Sequence, residues 1–513
     1  MVTESRSIER EVKLAVDADF ELPDLRRVVG GTVGLPEQHT LALYFDTSDL
    51  RLWRSDITLR HRSGEEPGGG TWTLKLPRTG AGLTLDRDEL IWPGSSDAVP
   101  DEATRIVRGV VRRASLAQIA ELKAVRRRVA LRDAAGAPYG EIDDDTVTAV
   151  LVGGKVRRFR QIELELGPGG ESVMDAVVAE MRHAGARTDG ETKLGKALRL
   201  AGHEAARTAR TGPDRRSLME DVVKDSIARS LDRLVGHDIR LRLDESDLAT
   251  EDVHQARVAT RRLRSDLKLL DRELDPVWVS RTRDELKWPG AVLGKVRDAD
   301  VLGGSLLSTE SVTEAGGTLE LRVALDDDRR TAARELTTTL AGERYLNLLD
   351  RLNAASRLPP LFAPGHRRHK RAGRRGSATA RSVLPKLVRK RWRALRRSVR
   401  SAGGHPSDVQ LHRIRIRAKQ LRYAAETAGP VIGKPARRLA AAAEDLQTVL
   451  GEHHDAVAAE HWLRHQAQSG TRSAAFAAGV LVAGERRRQR KLRRRWRAVW
   501  DRVDSKKLLD SLG

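Results

Sequence analysis

The chain has 513 residues, which is too long for one ordinary hydrophobic core, so two or three domains are expected. It has no cysteine, which excludes a disulfide framework and thiolate zinc sites, and no run of 18 apolar residues, so no membrane-spanning helix is expected. The net charge of +22 is uneven: residues 1–200 hold 30 Lys and Arg against 32 Asp and Glu, and the remainder holds 64 against 40. The basic remainder should attract a polyanion, and charge alone does not choose between nucleic acid, an anionic membrane and polyphosphate.

Alternating polar and apolar residues predict strands through most of residues 7–166. The alternation is clearest at 8–14, 57–62, 71–76 and 161–166. Helices are predicted at 104–116 and 172–184. Charged residues of both signs recur at every second position on several strands, which gives each strand one charged face. A sheet that closes with those faces inward would form a tunnel lined by carboxylates and by Lys and Arg.

The charges of this predicted sheet indicate metal-assisted phosphoryl transfer. Carboxylate pairs supply the hard oxygen ligands that Mg²⁺ or Mn²⁺ prefers, and Arg and Lys bind phosphate oxygens. The paired positions are Glu9 and Glu11 with Lys13, Arg60 and Arg62, Lys75, Arg87 and Glu89, Arg126 and Arg128, Asp143 and Asp145, and Glu163 and Glu165. An ordinary sheet with a solvated face is the alternative for any single strand, and the recurrence of both signs on several strands favours the tunnel.

An ordered set of short motifs resembles the CYTH domain, also called the triphosphate tunnel metalloenzyme domain. The motifs are ExExK at 9–13, YFDT at 44–47, LRHR at 59–62, TLKL at 73–76, RDE at 87–89, ELEL at 163–166 and TKLGKAL at 192–198. The resemblance implies an eight-stranded antiparallel tunnel that cleaves triphosphate compounds.

The resemblance also implies roles for individual residues. Metal would be bound by Glu9, Glu11, Glu163 and Glu165. Catalytic contacts to phosphate would come from Lys13, Arg60, Arg62, Lys75 and Arg87, and substrate-binding contacts from Arg126, Arg128 and Lys193. The register around Arg126 and Arg128 stays open by one residue, and Asp143 and Asp145 stay open between metal-binding and structural roles.

The pattern becomes helical from Ser217 onward. The chain is therefore divided into a tunnel domain, a linker and a helical domain, at 1–205, 206–216 and 217–513. A Gly- and Arg-rich break at 359–379 splits the helical domain into two sub-bundles. The basic run at 485–500 is interpreted as a solvated helix face with its two tryptophans packed inward, in preference to a binding arm.

Two segments of the helical domain repeat each other at an offset of 158 residues. They are HQARVATRRLRSDLK at 254–268 and HRIRIRAKQLRYAAE at 412–426, and an LG…D segment follows each, at 293–300 and 450–457. On a helix, the basic residues of each copy form a stripe about 80° wide, opposite the apolar residues. A stripe of one sign repels itself, so its repetition favours an anionic partner over a merely solvated face.

This half resembles the CHAD domain, an α-helical module of two related four-helix bundles. The resemblance covers both His/Arg helices and both LG…D segments, and it implies binding of inorganic polyphosphate along a central basic groove. The predicted contacts are His254, Arg257, Arg261, Arg264, Lys268, Arg297, His412, Arg415, Lys419 and Arg422. Asp298, Asp300 and Asp455 are predicted to orient these groups. Lys419 at an Arg position and Glu426 in place of Lys predict unequal halves.

The predicted fold class is an α+β multidomain protein, with an antiparallel eight-stranded β-tunnel followed by an all-α pair of four-helix bundles. The leading hypothesis is a bacterial, cytoplasmic hydrolase of inorganic triphosphate or polyphosphate that uses Mg²⁺ or Mn²⁺ and associates with polyphosphate granules. One alternative is an adenylate cyclase, although no base-recognition pocket is identified. The other is a non-catalytic granule protein, which the intact carboxylates disfavour. Nucleic-acid binding is less favoured because aromatic residues are only 4% of the chain.

Overall fold

The computed structural model describes residues 5–63, 70–78, 85–167, 169–204, 212–244, 248–307, 317–362, 378–505, 508 and 510. The side chain of Glu9 and the greater part of the predicted linker (206–216) and break (359–379) lie outside this description. The chain divides into two compact units, Met1–Arg210 and Thr211–Gly513. Within the described ranges, no helix has the length and apolar character that a membrane crossing requires.

The first unit is built on a sheet whose strands close into a tunnel. The strands are β1 Ser5–Ala15, β2 Gly31–Asp46, β3 Thr58–Ser63, β4 Thr71–Pro77, β5 Leu85–Pro93, β6 Ala117–Arg132, β7 Pro138–Leu151, β8 Val156–Leu166 and β9 Arg187–Thr188. Their order is β5-β4-β3-β2-β6-β7-β8-β1-β9, and β1 also pairs with β5, which closes a ring of eight. All the pairings are antiparallel. The predicted eight-stranded antiparallel tunnel is therefore confirmed.

Apolar residues on the outside of the tunnel explain why the charged faces point inward. The helices of this unit are α1 Arg51–Arg54, α2 Asp101–Ile106, α3 Arg108–Val111, α4 Met174–His183 and α5 Lys193–Leu200. Leu164 of β8 is buried outside the sheet in one cluster with Met181 of α4. Because successive residues of a strand alternate between faces, burying Leu164 outside turns Glu163 and Glu165 inside. Leu122 of β6 is buried in another cluster with Leu198 of α5, on the same inner face of the strand as Arg126.

The predicted helix at 104–116 differs from the structure, which has the two short helices α2 and α3 and then begins β6 at Ala117. The chain leaves the helical conformation at Arg112, whose φ of 57° lies in the left-handed region. A non-glycine residue in that region cannot continue an α-helix. The helix predicted at 172–184 is confirmed as α4.

The second unit consists of two helical bundles. The helices of the first are α6 Met219–Leu243, α7 Thr250–Leu269, α8 Pro276–Leu307, α9 Thr318–Ala341 and α10 Glu343–Arg357. The helices of the second are α11 Ala380–Ala402, α12 Asp408–Ile432, α13 Lys434–Ser469 and α14 Arg472–Val503. In the first bundle α9 and α10 together supply the fourth helix, broken where Gly342 takes an extended conformation.

The two bundles meet through equivalent elements. The backbone N–H of Met219 donates to the carbonyl of Ala378 at 2.9 Å, and the N–H of Ala380 donates to the carbonyl of Ser217 at 2.9 Å. These reciprocal bonds join the residues that begin α6 and α11. Helix α7, which carries the first basic stripe, packs against α12, which carries the second. The duplication in the sequence is therefore a pseudo-twofold arrangement in the fold.

Candidate functional site

The interior of the tunnel contains a cavity of about 430 Å³. The charged residues that line it are Arg10, Glu11, Lys13, Arg60, Arg62, Lys75, Arg87, Glu89, Arg126, Glu163, Glu165 and Lys193. The structure thus brings together residues that the sequence holds on seven separate elements. Of the residues predicted for this site, Arg128 lies outside the lining, and for Glu9 only the backbone is described.

Three carboxylates in the cavity are arranged as metal ligands. One oxygen each of Glu11, Glu163 and Glu165 lies within 4.8 Å of the others. The strand register produces this grouping, because Glu11 on β1 is directly opposite Glu165 on β8 and Lys13 is opposite Glu163. Oxygens that bind one Mg²⁺ ion at about 2.1 Å are at most about 4.2 Å apart, so a small side-chain rotation would bring all three onto one ion. The donor set therefore fits Mg²⁺ or Mn²⁺.

Lys13 holds two of these carboxylates. Its Nζ lies 2.8 Å from Glu11 and 2.5 Å from Glu163. Burial opposes the charge of Lys13, but the two carboxylates outweigh it and raise the pKa of the ammonium group. In the same way burial opposes the charge of Glu163, but Lys13 and Lys193 bring its pKa well below the usual range. The cavity therefore holds ionised groups of both signs in contact at neutral pH.

Asp143 and Asp145 orient cations of the cavity wall. Asp145 is fully buried and accepts hydrogen bonds from Nε and Nη2 of Arg126 at 2.9 and 3.0 Å. It also lies 2.7 Å from Nζ of Lys193, and Asp143 contacts Arg126. Burial raises the pKa of Asp143 to about 8, against the opposing charge of Arg126. These contacts support the structural role that the sequence left open for the two aspartates.

The register around the β6 arginines is settled by their partners. Arg126 faces the cavity, where Nη2 lies 3.5 Å from Glu163. Arg128 instead pairs with Glu141 and is not part of the cavity wall. Both lie on the same face of β6, but Arg128 is one pleat farther along the tunnel and has its own carboxylate there. The predicted substrate contact at Arg128 is therefore not supported by its position.

The wall formed by β3, β4 and β5 lines the cavity with more cations than carboxylates. Nζ of Lys75 lies 3.5 Å from Glu89, and Arg60 lies 4.0 Å from the same carboxylate. Arg87 is buried and donates to both the side chain and the carbonyl of Asp56, at 2.8 and 2.9 Å. Arg87 is thus tied to the wall, whereas Arg60 and Lys75 share one carboxylate.

Tyr44 and Glu89 line the cavity without having been assigned a role from the sequence. Burial would raise the pKa of the Tyr44 phenol, but Arg60 and Lys193 outweigh it and lower this pKa. Tyr44 belongs to the YFDT motif on β2, and Glu89 lies two residues after Arg87 on β5. The YFDT motif was therefore the available signal for Tyr44, and the period-two spacing from Arg87 was the signal for Glu89.

In the second unit, the two basic stripes lie close enough to interact. The charge of Lys419 on α12 interacts with those of Arg257 and Arg261 on α7, and the charge of Arg415 interacts with that of Arg257. We call the group that meets here the central cluster; it consists of His254, Arg257, Arg261, Arg297, His412, Arg415, Lys419 and His454. The predicted stripes thus face one another, as the duplication of the sequence suggests.

The duplicated glycines accommodate the duplicated arginines. A Cβ atom at Gly294 would lie 3.6 Å from Nη2 of Arg257, and one at Gly451 would lie 3.6 Å from Nε of Arg415. Each guanidinium group therefore lies against the backbone of the facing helix. A larger residue at either glycine would restrict the position of the arginine.

The aspartates of the LG…D segments act on the same arginines. Asp298 accepts a hydrogen bond from Nη1 of Arg257 at 2.8 Å. Burial lowers the pKa of Arg415, and the charge of Asp455 opposes this shift. Asp300 does not have its predicted role in the cluster, because it accepts a hydrogen bond from Nε of Arg329 on α9 at 2.8 Å.

The central cluster concentrates positive charge that its carboxylates do not balance. Burial, followed by the charges of Arg415, Arg261 and Arg257, lowers the pKa of Lys419 to about 6. The Nε atoms of Arg261 and Arg415 are buried and lack a hydrogen-bond partner among the described residues. Such groups are costly unless an anion compensates them.

The histidines of the cluster are neutral at pH 7. Nδ1 of His412 lies 3.3 Å from Nδ1 of His454, and burial together with the nearby Arg415 lowers the pKa of His454 to about 4. Burial and the charge of Arg297 also lower the pKa of His254. Neutral imidazoles can donate one hydrogen bond each without adding charge.

The two stripes end differently. Nε of Arg422 lies 2.6 Å from Glu426, and its Nη2 lies 2.9 Å from Glu444. Arg264 occupies the equivalent position in the first stripe, where Lys268 stands in place of Glu426. The halves are therefore unequal, and Arg422 is paired with acidic residues.

Comparison with known proteins agrees with both units. The family model of the CYTH domain matches residues 7–186, and that of the CHAD domain matches residues 225–464. Two uncharacterized proteins of Mycobacterium tuberculosis, from strains CDC 1551 and H37Rv, are each 31% identical over 478 residues, which is 88% of this chain and 87% of theirs. The solved CHAD domain of the plant Ricinus communis is 24% identical and covers 59% of this chain and 98% of its own, with a TM-score of 0.46. PptA from Streptomyces chartreusis is 19% identical and covers 56% of this chain and 100% of its own, with a TM-score of 0.44.

The tunnel and its carboxylate triad define the class of protein, which is that of CYTH domains: metal-dependent enzymes that act on triphosphate compounds as triphosphatases or cyclases. The helical unit that follows is a CHAD domain. The chain belongs to the family of proteins in which a CYTH domain precedes a CHAD domain.

Proposed function

We propose that the tunnel hydrolyses inorganic triphosphate or polyphosphate with the help of Mg²⁺ or Mn²⁺. The observation that carries this proposal is the carboxylate triad of Glu11, Glu163 and Glu165 in one cavity with Lys and Arg side chains. When bound, the metal would supply a positive charge that polarises a phosphoryl oxygen. Phosphoryl transfer requires mainly positioning and charge neutralisation, which this set of side chains is suited to provide.

The residues divide into two roles in this proposal. Glu11, Glu163 and Glu165 hold the metal, with Glu9 as a further predicted ligand. The phosphate oxygens are bound by Lys13, Arg60, Arg62, Lys75, Arg126 and Lys193. Arg87 lines the cavity and also donates hydrogen bonds to Asp56, which fixes the position of β5 in the wall. Lys13 contacts two carboxylates of the triad, so it would bind a phosphate oxygen close to the metal site.

The composition of the cavity favours an unsubstituted phosphate chain over a nucleotide. Among the described lining residues, Tyr44 has the one aromatic ring and Ile91 the one aliphatic side chain. A pocket for a nucleobase is usually lined by apolar and aromatic side chains. The adenylate cyclase alternative therefore has less support from the lining than the hydrolase.

We further propose that the helical unit binds inorganic polyphosphate through the central cluster. The pseudo-twofold arrangement gives a linear polyanion two sets of cations in one groove, and the unsatisfied guanidinium groups supply the driving force. The predicted contacts at Arg264 and Lys268 extend this groove along α7. Binding of this kind would retain the protein on polyphosphate granules.

Phosphate release from tripolyphosphate, long-chain polyphosphate and ATP, each with Mg²⁺ or Mn²⁺, tests the proposed reaction. The two inorganic substrates should be cleaved faster than ATP. If ATP were the best substrate and cyclic AMP the product, the tunnel would be a cyclase and the proposal would fail.

A further inference from the structure

A second group of cations lies beside the central cluster. We call it the flanking cluster; it consists of Arg264 and Lys268 on α7, Arg283 on α8, Arg391 on α11 and Arg417 on α12. The charge of Lys268 interacts with those of Arg283, Arg391 and Arg417, and the charge of Arg264 interacts with that of Arg283. Nη2 of Arg391 donates to the backbone carbonyl of Lys268 at 2.9 Å, which holds it at the end of α7. Four helices thus converge to place these cations together.

The flanking cluster is short of compensating negative charge. None of its five cations forms an ion pair with a carboxylate of the described ranges. The carboxylates that interact at longer range are Asp284, with Arg264, and Asp271, with Lys268 and Arg391. The Nε atoms of Arg264 and Arg283 are buried and lack a hydrogen-bond partner within those ranges. Buried donors of this kind indicate a place for an acceptor that the chain itself does not supply.

The opposite end of the groove has no such cluster among the residues that the structure describes. There Arg422, the counterpart of Arg264, is paired with Glu426 and Glu444. Aligning α8 with α13 on their LG…D segments, α6 with α11 on their reciprocal backbone bonds, and α7 with α12 on the stripes gives the corresponding positions in the other repeat. Those that match Arg283, Arg391 and Arg417 hold Ala440, Ser230 and Ala259. The backbone therefore follows the pseudo-twofold symmetry, but the distribution of charged side chains does not.

We propose that the flanking cluster is a second phosphate-binding subsite, so that a bound polyphosphate chain extends from the central cluster at one end of the groove only. The inference rests on the proposed binding of polyphosphate by the central cluster. From Arg261 to Lys268 the stripe rises by about 10 Å along α7, so a chain must run along the groove to reach both clusters. At the other end Glu426 and Glu444 hold Arg422, the arginine that would attract the chain, and Glu426 also pairs with Arg262.

The equivalent arginines of the two repeats provide a matched pair of variants. Arg264→Ala and Arg422→Ala each remove one guanidinium group from the same position of a duplicated helix. In the full chain, Arg264→Ala should weaken binding of long-chain polyphosphate about tenfold and lower the salt slope of log affinity by about 1, as expected for one lost phosphate contact. Arg422→Ala should cost clearly less, because its charge is already compensated. Any contribution of the tunnel is common to both variants.

The double variant Arg391→Ala/Arg417→Ala tests the subsite without altering the stripe of α7. It should lose affinity for long-chain polyphosphate by at least as much as Arg264→Ala. Thermal unfolding of each variant checks the fold. Removal of an uncompensated cation should not lower the melting temperature of Arg264→Ala, and the double variant should lose only the small contribution of the hydrogen bond from Arg391 to the carbonyl of Lys268. Equal losses from Arg264→Ala and Arg422→Ala, or no loss from the double variant, would overturn the one-ended subsite while leaving the groove intact. If the unaltered chain did not bind polyphosphate, the groove and the subsite would both be wrong.

Discussion

Glu11 belongs to the carboxylate triad and also contacts Lys13. A replacement of the same size therefore tests whether the negative charge of Glu11 is needed for activity. Glu11→Gln keeps the size of the side chain and removes one negative charge from the proposed metal site. We expect metal-dependent phosphate release to fall about a hundredfold or more, while the protein still folds, because Lys13 keeps its contact with Glu163. The measurement is the initial rate with tripolyphosphate at saturating Mg²⁺.

A control for this variant is Glu121→Gln, which removes a partly exposed carboxylate that pairs with Lys123 outside the cavity. This control should retain the rate of the unaltered chain. Full activity of purified, folded Glu11→Gln would show that the triad is not the metal site.

Lys419 should make polyphosphate binding depend on pH. Its pKa of about 6 in the free protein lies below the usual 10.5, so most of the side chain is neutral at pH 8. Bound phosphate favours the ammonium form, so binding raises this pKa and takes up a proton. Affinity should therefore fall as pH rises from about 6, until the pH exceeds the pKa in the complex. Titrations between pH 6 and 9 would show this.

Lys419→Arg is the informative comparison, because an arginine stays charged over this range. The variant should bind polyphosphate with a flatter pH profile between pH 7 and 9, where the histidines of the cluster are already neutral. Identical profiles for the two proteins would contradict the assignment of the proton to Lys419.

At the scale of single residues, the sequence could predict which positions are charged but not which partner each one finds. Arg126 and Arg128 share one face of β6, and only the structure shows that Arg128 forms an ion pair with Glu141. Arg422 fitted the stripe by spacing, but its neutralisation depends on Glu444, which lies on another helix. Contacts between distant segments of the chain decided both cases.

Among the helices, the basic stripes of α7 and α12 should contribute more to polyphosphate binding than the basic run of α14. In the fragment 217–513, the triple variant Arg257→Ala/Arg261→Ala/Arg264→Ala should lose much of the affinity. The triple variant at the equivalent positions of α12, Arg415, Lys419 and Arg422, should do so as well. The α7 triple removes about three phosphate contacts and the α12 triple about two, because Arg422 is paired with Glu426 and Glu444, so each should also reduce the salt dependence.

The control for the stripes is neutralisation of the arginines between Arg486 and Arg495. This run lies on the helix that buries Trp496 and Trp500, and several of its arginines are exposed. Some are engaged locally, as when Arg486 donates to Glu460 at 2.9 Å. If this variant lost more affinity than either triple, binding would depend on net charge and not on the groove.

Strands and helices were predicted correctly where the spacing of polar and apolar residues stayed regular through the whole segment. Alternation in β1 and β8 and the duplicated stripes of α7 and α12 correspond to elements of the structure. The segment at 104–116 failed because its helical pattern does not reveal the left-handed residue Arg112 that ends the helix. The flanking cluster could not be predicted, because it draws Arg283, Arg391 and Arg417 from three separate helices.

At the scale of the whole molecule, the tunnel should work without the helical unit. All the residues proposed for catalysis precede Ala201, and the tunnel has hydrophobic clusters of its own against α4 and α5. The fragment 1–205 should therefore release phosphate from tripolyphosphate at a rate comparable with that of the full chain. A fragment that folds, as judged by circular dichroism, but is inactive would show that the active site needs both units.

The most direct test of the account is phosphate release from tripolyphosphate by the full chain, measured first with a chelator present and then during titration with Mg²⁺ or Mn²⁺. The account predicts no release in the chelator and a rate that rises to saturation with at least one of the two metals. Release that chelation does not affect, or no release of phosphate with either metal, would contradict a metal-dependent hydrolase built on Glu11, Glu163 and Glu165.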